Sequence, residues 1–392
     1  MLYICYGAKK SGSTLAYNLT RGVLEAAGEP QILIPAELRG ERQRIGGLNV
    51  VGALRPEILV AAEIFVPRDR IVALRTHASP TRYLLPLLME GRAQAQVTIR
   101  DPRDLALSLL DVAEKQNALG LSRRDDLIAQ RGAVSATLER LSVNVGMMSA
   151  WADMPGALVL DYEQTAFDPR LSIASICRQL GIAVPEEQFD AVFAQAATDP
   201  RGKKNVAAPR RHRREMAPED QRLVLDRFPE FYERFYPGAD VDVDDSDRNE
   251  DRVGSPADRA AAYRETLVEK MRDRLAASAA KTGRPMRSAE AEIDRVLERR
   301  AQQRRDKIAK KEADLAERYG DAASTISSAA MSQNRVARAK AVAAAALSED
   351  WRAHLVDDLS EEEAREQEER IDAARLRAIE LVNAAMAPKT GD

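Results

Sequence analysis

From its start to about residue 237, the chain alternates short β-rich runs with amphipathic stretches of helical length. That rhythm constrains the fold more than any other feature, because strands fed by crossover helices line up parallel in one sheet. Strands are expected at Leu2–Tyr6, near Ile32–Ile34, and at Arg70–Arg75, Gln96–Ile99 and Leu158–Leu160. Helices are expected at Thr14–Ala27, Pro56–Phe65, Thr81–Met89, Pro102–Gln116, Ala133–Trp151, Arg170–Leu180 and Pro218–Phe235. The class is α/β, a three-layer sandwich around a central parallel sheet.

The rhythm stops at GADVDVDDSDRNEDRVGSP, where acidic, small and turn-forming residues predict a linker over 238–256, between an α/β domain at 1–237 and a helical region at 257–392. Asp240, Asp242 and Asp244 have the spacing of calcium ligands. Asp245 stands where such a loop needs glycine, however, and Asp251 where it needs glutamate, so a solvated linker accounts for them better. The remainder is rich in Ala, Arg, Glu, Lys and Gln, and predicts long helices, an all-α extension. Ile293, Leu297, Ala301, Ile308 and Leu315 form one narrow apolar stripe, interrupted by Arg304 and Lys311; Ile371, Ala374, Ala378, Val382 and Ala385 form a second. Helices of this kind need a partner: each other, a second copy of the chain, another protein or the first domain.

Composition narrows the function classes. With 392 residues and 45% hydrophobic content the chain can bury a sizeable core, and a formal charge of −3 supplies no global field for nucleic acid or anionic membrane. Cys5 and Cys177 lie far apart with no CxxC pattern, so neither a disulfide framework nor a zinc site is expected. No run approaches the roughly 18 apolar residues of a membrane span, and Met1–Gly7 is too short for a secretory signal. These features fit a cytoplasmic protein that is not an integral membrane protein.

The chemistry begins at YGAKKSGST, Tyr6–Thr14. A nucleoside-triphosphate loop reads GxxxxGK[ST]; Gly7, Gly12 and Thr14 match it, but Ser13 replaces the lysine, and the nearest lysines, Lys9 and Lys10, precede Gly12. A strand, a Gly/Ser turn and a helix N-terminus still make a phosphate cradle. The lysine that grips the β- and γ-phosphates is missing, which points to an anion other than a triphosphate. A Gly/Ser turn in this setting is also often no more than a turn.

KSGST at Lys10–Thr14 resembles the loop of sulfotransferases that use 3′-phosphoadenosine 5′-phosphosulfate (PAPS), in which a KSGTT or RSGTT turn cradles the 5′-phosphosulfate and the lysine precedes the glycine. Two further stretches follow in the family's order. LRTHASPTRYLLP, Leu74–Pro86, is similar to the KTHLP segment that carries the general base, and IRDPRDLALSLLD, Ile99–Asp111, to the RNPRDxxxS motif that holds the 3′-phosphate. LDYEQTAFDP, Leu160–Pro169, is similar to a YExLxxDP stretch of largely structural role. The resemblance implies a P-loop-type fold over about residues 1 to 237 and transfer of a sulfuryl group from PAPS to a hydroxyl or amine, with no metal. It assigns catalysis to Lys10, His77 and Arg75, and donor binding to Lys10, Ser11, Gly12, Ser13, Thr14, Arg100 and Ser108. Arg201 and Lys203 loosely match the family's RKGxxGxW segment, whose tryptophan is absent here, and would cap the donor.

The residues themselves agree in part. Arg100 closes a strand at the sheet's carboxyl edge, Asp101 and Pro102 suit a helix start, and Ser108 returns nearly two turns later to the face of Asp101. Arg103 and Asp104 are expected to be surface or helix-start residues rather than ligands. The basic run Asp199–Glu215 is either a lid over a bisphosphate or a solvated charge run; it lacks the aromatic platforms of an RNA site. Two other functions remain open. Asp161 at the end of a hydrophobic strand would suit magnesium in a kinase or NTPase, and a noncatalytic scaffold would act through the C-terminal helices.

Overall fold

The computed structural model describes residues 1–39, 48–118, 128, 133–198, 208–239, 265, 268–269, 271–273, 275–281, 288–319, 328–348, 350–355 and 359–386. Packing divides the chain into two compact units, Met1–Asp101 with Ser142–Pro209 and Gln333–Asp392, and Pro102–Leu141 with Arg210–Ser332.

Five strands, β1 (Leu2–Gly7), β2 (Val50–Val51), β3 (Val72–Thr76), β4 (Ala93–Ile99) and β5 (Leu158–Asp161), form one parallel sheet in the order β2-β3-β1-β4-β5. The longer helices and helical turns are, in chain order, α1 (Ser13–Ala26), α2 (Pro56–Phe65), α3 (Leu85–Met89), α4 (Pro102–Ala118), α5 (Leu138–Ala152), α6 (Tyr162–Phe167), α7 (Pro169–Leu180), α8 (Phe189–Thr198), α9 (Arg211–Glu215), α10 (Pro218–Arg227), α11 (Pro229–Phe235), α12 (Ala289–Tyr319), α13 (Ser328–Ala346) and α14 (Glu361–Met386). The class is α/β with additional helices, as expected.

The whole sheet belongs to the first unit. Alternation along β1 sends Tyr3 and Cys5 into a core shared with α1, α7 and α8, through Leu19, Val23, Ile173, Ile176 and Phe189. On the opposite face Tyr6 stacks on Trp151 of α5, with ring centroids 5.1 Å apart. Helices thus cover both faces, as strands buried on both sides require. In the C-terminal part of this unit, α14 packs along α2; of its expected stripe, Ala378 is buried, Ile371, Ala374 and Val382 are partly covered, and Ala385 is exposed. In α13, Ala339, Ala343 and Ala346 are buried, and Val336 approaches α5 so closely that a Cβ on Gly146 would lie 2.4 Å from it.

Several local expectations need correction. Ile32–Ile34 is not a strand, because side chains take the backbone groups a sheet neighbour would use. Asn49 accepts from the Ile34 N–H at 2.9 Å and donates to the Ile32 carbonyl at 2.8 Å, and Arg39 Nε donates to the Ile34 carbonyl. The edge position goes to Val50–Val51. Thr81–Met89 is a 3₁₀ turn at Arg82–Leu84 followed by the short α3, since Pro86 is tolerated only in the first turn of a helix. Pro218–Phe235 breaks at Phe228, where the following Pro229 disfavours helical backbone. Helix α8 was not anticipated. Of the α12 stripe, Ile293 is buried and Leu297 half-buried; the side chains of Ala301, Ile308 and Leu315 lie outside the described residues, as do Arg201, Lys203, Asp240, Asp242, Asp244, Asp245 and Asp251.

The second unit holds a buried polar cluster on α4. Asp104 accepts from the backbone N–H of His212 at 2.8 Å and lies 3.0 Å from its Nδ1, while Arg211 bridges Asp111 and Glu215. Arg103 donates to the Ala239 carbonyl and lies over the Tyr232 ring. Arg103 and Asp104 open α4 as expected, yet they are buried rather than on the surface. Arg211 and His212, at the end of the basic run, are likewise buried among carboxylates rather than solvated.

Candidate active site

Strand register brings four chain segments to one edge of the sheet. Tyr6 pairs with Thr76 and Gly7 with Thr98, so the turn after β1 emerges beside His77 on one side and Arg100 on the other. Ile99 pairs with Asp161, which sets Tyr162 beside Arg100. Because the order β2-β3-β1-β4-β5 reverses direction across β1, this is the carboxyl-edge crevice at the switch point, where open α/β sheets bind ligands.

The turn itself has an unusual backbone. Lys10 and Gly12 both take left-handed conformations, at φ 77° and 88°, on either side of Ser11. Glycine does so without cost, but lysine is disfavoured there by about 1–2 kcal/mol, so the surroundings hold it in place. The buried Ser11 hydroxyl donates to the Ala8 carbonyl at 2.9 Å. Gly12 then opens α1, and no side chain caps that helix, so its first N–H groups face the crevice uncapped. Space is tight: a Cβ at Gly12 would lie 2.3 Å from the Tyr162 ring, and one at Gly7 2.5 Å from Ser13.

Arg100 lies under this turn. It is only 4% exposed, its Nη1 donates to the Lys10 carbonyl at 3.0 Å, and its guanidinium sits 4.2 Å from the centre of the Tyr162 ring. Its Nε and Nη2 have no hydrogen-bond partner among the described residues. A buried cation with two of its three nitrogens unpartnered is costly unless an anion completes it. Tyr162 therefore covers the glycine and the arginine together. The sequence assigns this stretch a largely structural role, with Asp161 as a candidate magnesium ligand, and does not single out Tyr162; the signal it offered was the aromatic directly after β5.

On the other side, the His77 Nδ1 lies 2.5 Å from the Gly7 carbonyl oxygen. A carbonyl only accepts, so Nδ1 carries the proton and the neutral ring keeps its lone pair on Nε2. Burial, aided by the positive charges of Arg75, Lys9 and Arg335, holds the imidazole below its ordinary pKa, against the opposing Gly7 hydrogen bond. The segment is held firmly. Thr76 Oγ1 donates to Val51 and accepts from Ala78, Trp151 Nε1 donates to the Ala78 carbonyl, and Arg335 of α13 donates to the His77 carbonyl and to Ser79 Oγ, both at 2.7 Å. Arg75 donates to Thr14 Oγ1 at 2.8 Å, linking β3 to the first turn of α1.

Lys10, Ser11, Gly12, Ser13, Thr14, Arg75, His77 and Arg100 thus gather at one edge of the first unit. Ser108 is buried on α4 in the second unit. Asp161 accepts from the Gln164 N–H at 3.0 Å as the N-cap of α6, a use that needs no metal. Among the described residues no group of three or more His, Cys, Asp or Glu could hold a metal ion, and no helix is long and apolar enough to cross a membrane.

A cavity of about 410 Å³ opens next to His77, lined by Gly52–Glu57 after β2, by Ala78, Ser79, Thr81 and Tyr83 after β3, and by Arg335, Gln367 and Arg370 from α13 and α14.

No protein-family model and no curated protein matches the chain. Among solved structures it is similar to retinol dehydratase, crystallised with androsterone and the inactive cofactor PAP, at 21% identity and a TM-score of 0.33. That likeness covers 50% of this chain and 63% of the other, less than two thirds of its length.

Proposed function

We propose that the protein is a sulfotransferase that moves a sulfuryl group from PAPS to a hydroxyl or amine. The observation that carries this reading is Arg100: a buried guanidinium with two unused donor nitrogens, under a left-handed turn at the open end of a helix. These are donors preorganised for an anion, and the residues fit the phosphates of such a donor. Bound there, PAPS would supply the sulfuryl group, with its S–O bond to the 5′-phosphate breaking as the bond to the acceptor forms and the electron pair leaving on the phosphate.

The protein's part is positioning, charge and one proton. The N–H groups of Ser11–Thr14 and the Lys10 ammonium stabilise charge at the 5′ end, where the leaving phosphate becomes more negative. Arg75, tied to Thr14, adds positive charge beside it. Arg100 anchors the donor. His77, neutral with its lone pair on Nε2, takes the proton from the acceptor. Its clamped backbone fixes where that lone pair points, and orientation of this kind accounts for much of an enzyme's advantage.

The test is transfer of labelled sulfur from PAPS to a fraction of small hydroxyl- and amine-bearing molecules. Transfer by the wild type, abolished in Lys10→Ala and strongly reduced in His77→Ala, is expected. Undiminished donor turnover in both variants contradicts the mechanism, and turnover of ATP with magnesium in place of PAPS contradicts the reaction.

A further inference from the structure

The cavity beside His77 has a charge pattern that the reaction does not explain. Its charged lining consists of Arg55, Glu57, Arg335 and Arg370. Arg55 and Glu57 neutralise one another, with Nε and Oε1 3.2 Å apart. Among the described residues Arg335 is engaged by neutral oxygens, the His77 carbonyl and the Ser79 hydroxyl, and no carboxylate is within ion-pair distance of Arg335 or Arg370. The remaining polar groups are uncharged, and two of them, Tyr83 and Gln367, bond each other at 3.1 Å. Among the described residues, the guanidiniums of Arg335 and Arg370 in the lining have no carboxylate partner.

Their position is specific. Arg335 hydrogen-bonds the backbone of His77 itself, so its charge stands at the mouth of the proposed transfer site. Both arginines come from the C-terminal helices, which are held there by contacts of their own: Val336 against Gly146, and α14 along α2.

Resting on the transferase reading above, we propose that this cavity binds the acceptor, and that the acceptor is a small anionic molecule, a carboxylate or phosphate that also bears the hydroxyl or amine to be sulfated. Arg370 and Arg335 receive its negative group and His77 faces the nucleophile. Guanidinium forks match carboxylate and phosphate oxygens geometrically, and a volume of this size suits a small molecule rather than a polymer. The C-terminal helices are then part of the substrate site.

The experiment uses the full-length chain saturated with the product 3′-phosphoadenosine 5′-phosphate (PAP), and reads its melting temperature with matched pairs: glucose 6-phosphate against glucose, and galacturonate against galactose. An anionic member is expected to stabilise the wild type more than its neutral partner does, and its affinity to fall by about tenfold or more in Arg370→Gln, the loss of one charge-assisted hydrogen-bonded contact. Arg370 is exposed, so this variant is expected to fold; Arg370→Glu, which reverses the charge, should weaken the anion further. Equal response to charged and neutral members, or an anion response unchanged in both variants, overturns the proposal. A wild type that PAP itself does not stabilise overturns the donor reading, and the acceptor assignment with it.

Discussion

His77 Nδ1 and the Gly7 carbonyl oxygen are 2.5 Å apart, so the residue that leads into the turn after β1 fixes the tautomer of the imidazole beside it. The turn and the imidazole are one unit. Whatever shifts the backbone at Gly7 also rotates the lone pair at Nε2.

The pH dependence of the proposed reaction follows from this. Burial holds the His77 pKa below its ordinary value of about 6.5, so the ring stays neutral and basic at neutral pH. The acidic limb of kcat/KM is expected below pH 6.5, and it should be missing from the residual activity of His77→Ala, which is expected to be about 10²–10⁴-fold lower. Stability has the matching sign. The unfolded chain takes up a proton near pH 6.5 before the folded one does, so this residue's contribution declines as pH falls below that value. Melting curves of wild type and His77→Ala between pH 7.5 and 5 should show the difference narrowing.

Arg100 gives an unusual pairing of effects. Without ligand, replacing it by methionine removes a buried charge with two unused donors and one bond to Lys10, and such replacements are often neutral or stabilising. The melting temperature of the unliganded Arg100→Met protein is expected to stay level or rise. A marked fall would mean that the guanidinium is a structural prop.

At Gly12 two penalties combine. The residue has φ 88°, and a Cβ would lie 2.3 Å from Tyr162. Gly28 has nearly the same φ, 81°, but open space around its Cβ position. Gly28→Ala is therefore expected to cost about 1–2 kcal/mol for the left-handed backbone alone, and Gly12→Ala clearly more. Tyr162→Ala should recover only the difference in a double-mutant cycle read by denaturant unfolding.

In the sequence, the strand, Gly/Ser turn and helix of Leu2–Ala26 were legible because they are local, with the turn spanning only a few residues. The pairing of Arg100 with Tyr162 was not, since it depends on the register of β4 with β5 across more than sixty intervening residues. Ile32–Ile34 misled for a similar reason. Its apolar composition fits a strand, but the distant Asn49 satisfies its backbone. The stripe on α14 foretold that a face would be covered without naming α2, because apolar periodicity specifies burial and not the partner.

Gly146 tests how the C-terminal helices are seated. Alanine gains about 1 kcal/mol in helix propensity, yet its Cβ would meet Val336 at 2.4 Å, and overpacking typically costs about 1–3 kcal/mol. Net destabilisation of Gly146→Ala is expected, relieved by Val336→Ala, with reduced transfer in the single variant because Arg335 is the neighbour of Val336. Stabilisation of the single variant would show that α13 has room to move.

The most direct measurement is calorimetric titration of PAP into the wild-type protein and into Arg100→Met, without magnesium. Saturable binding by the wild type is expected, weakened at least tenfold in the variant, the size of one lost charge-assisted contact, with ATP and magnesium binding no better than PAP. Equal affinity in the two proteins, or binding of ATP with magnesium alone, would contradict it.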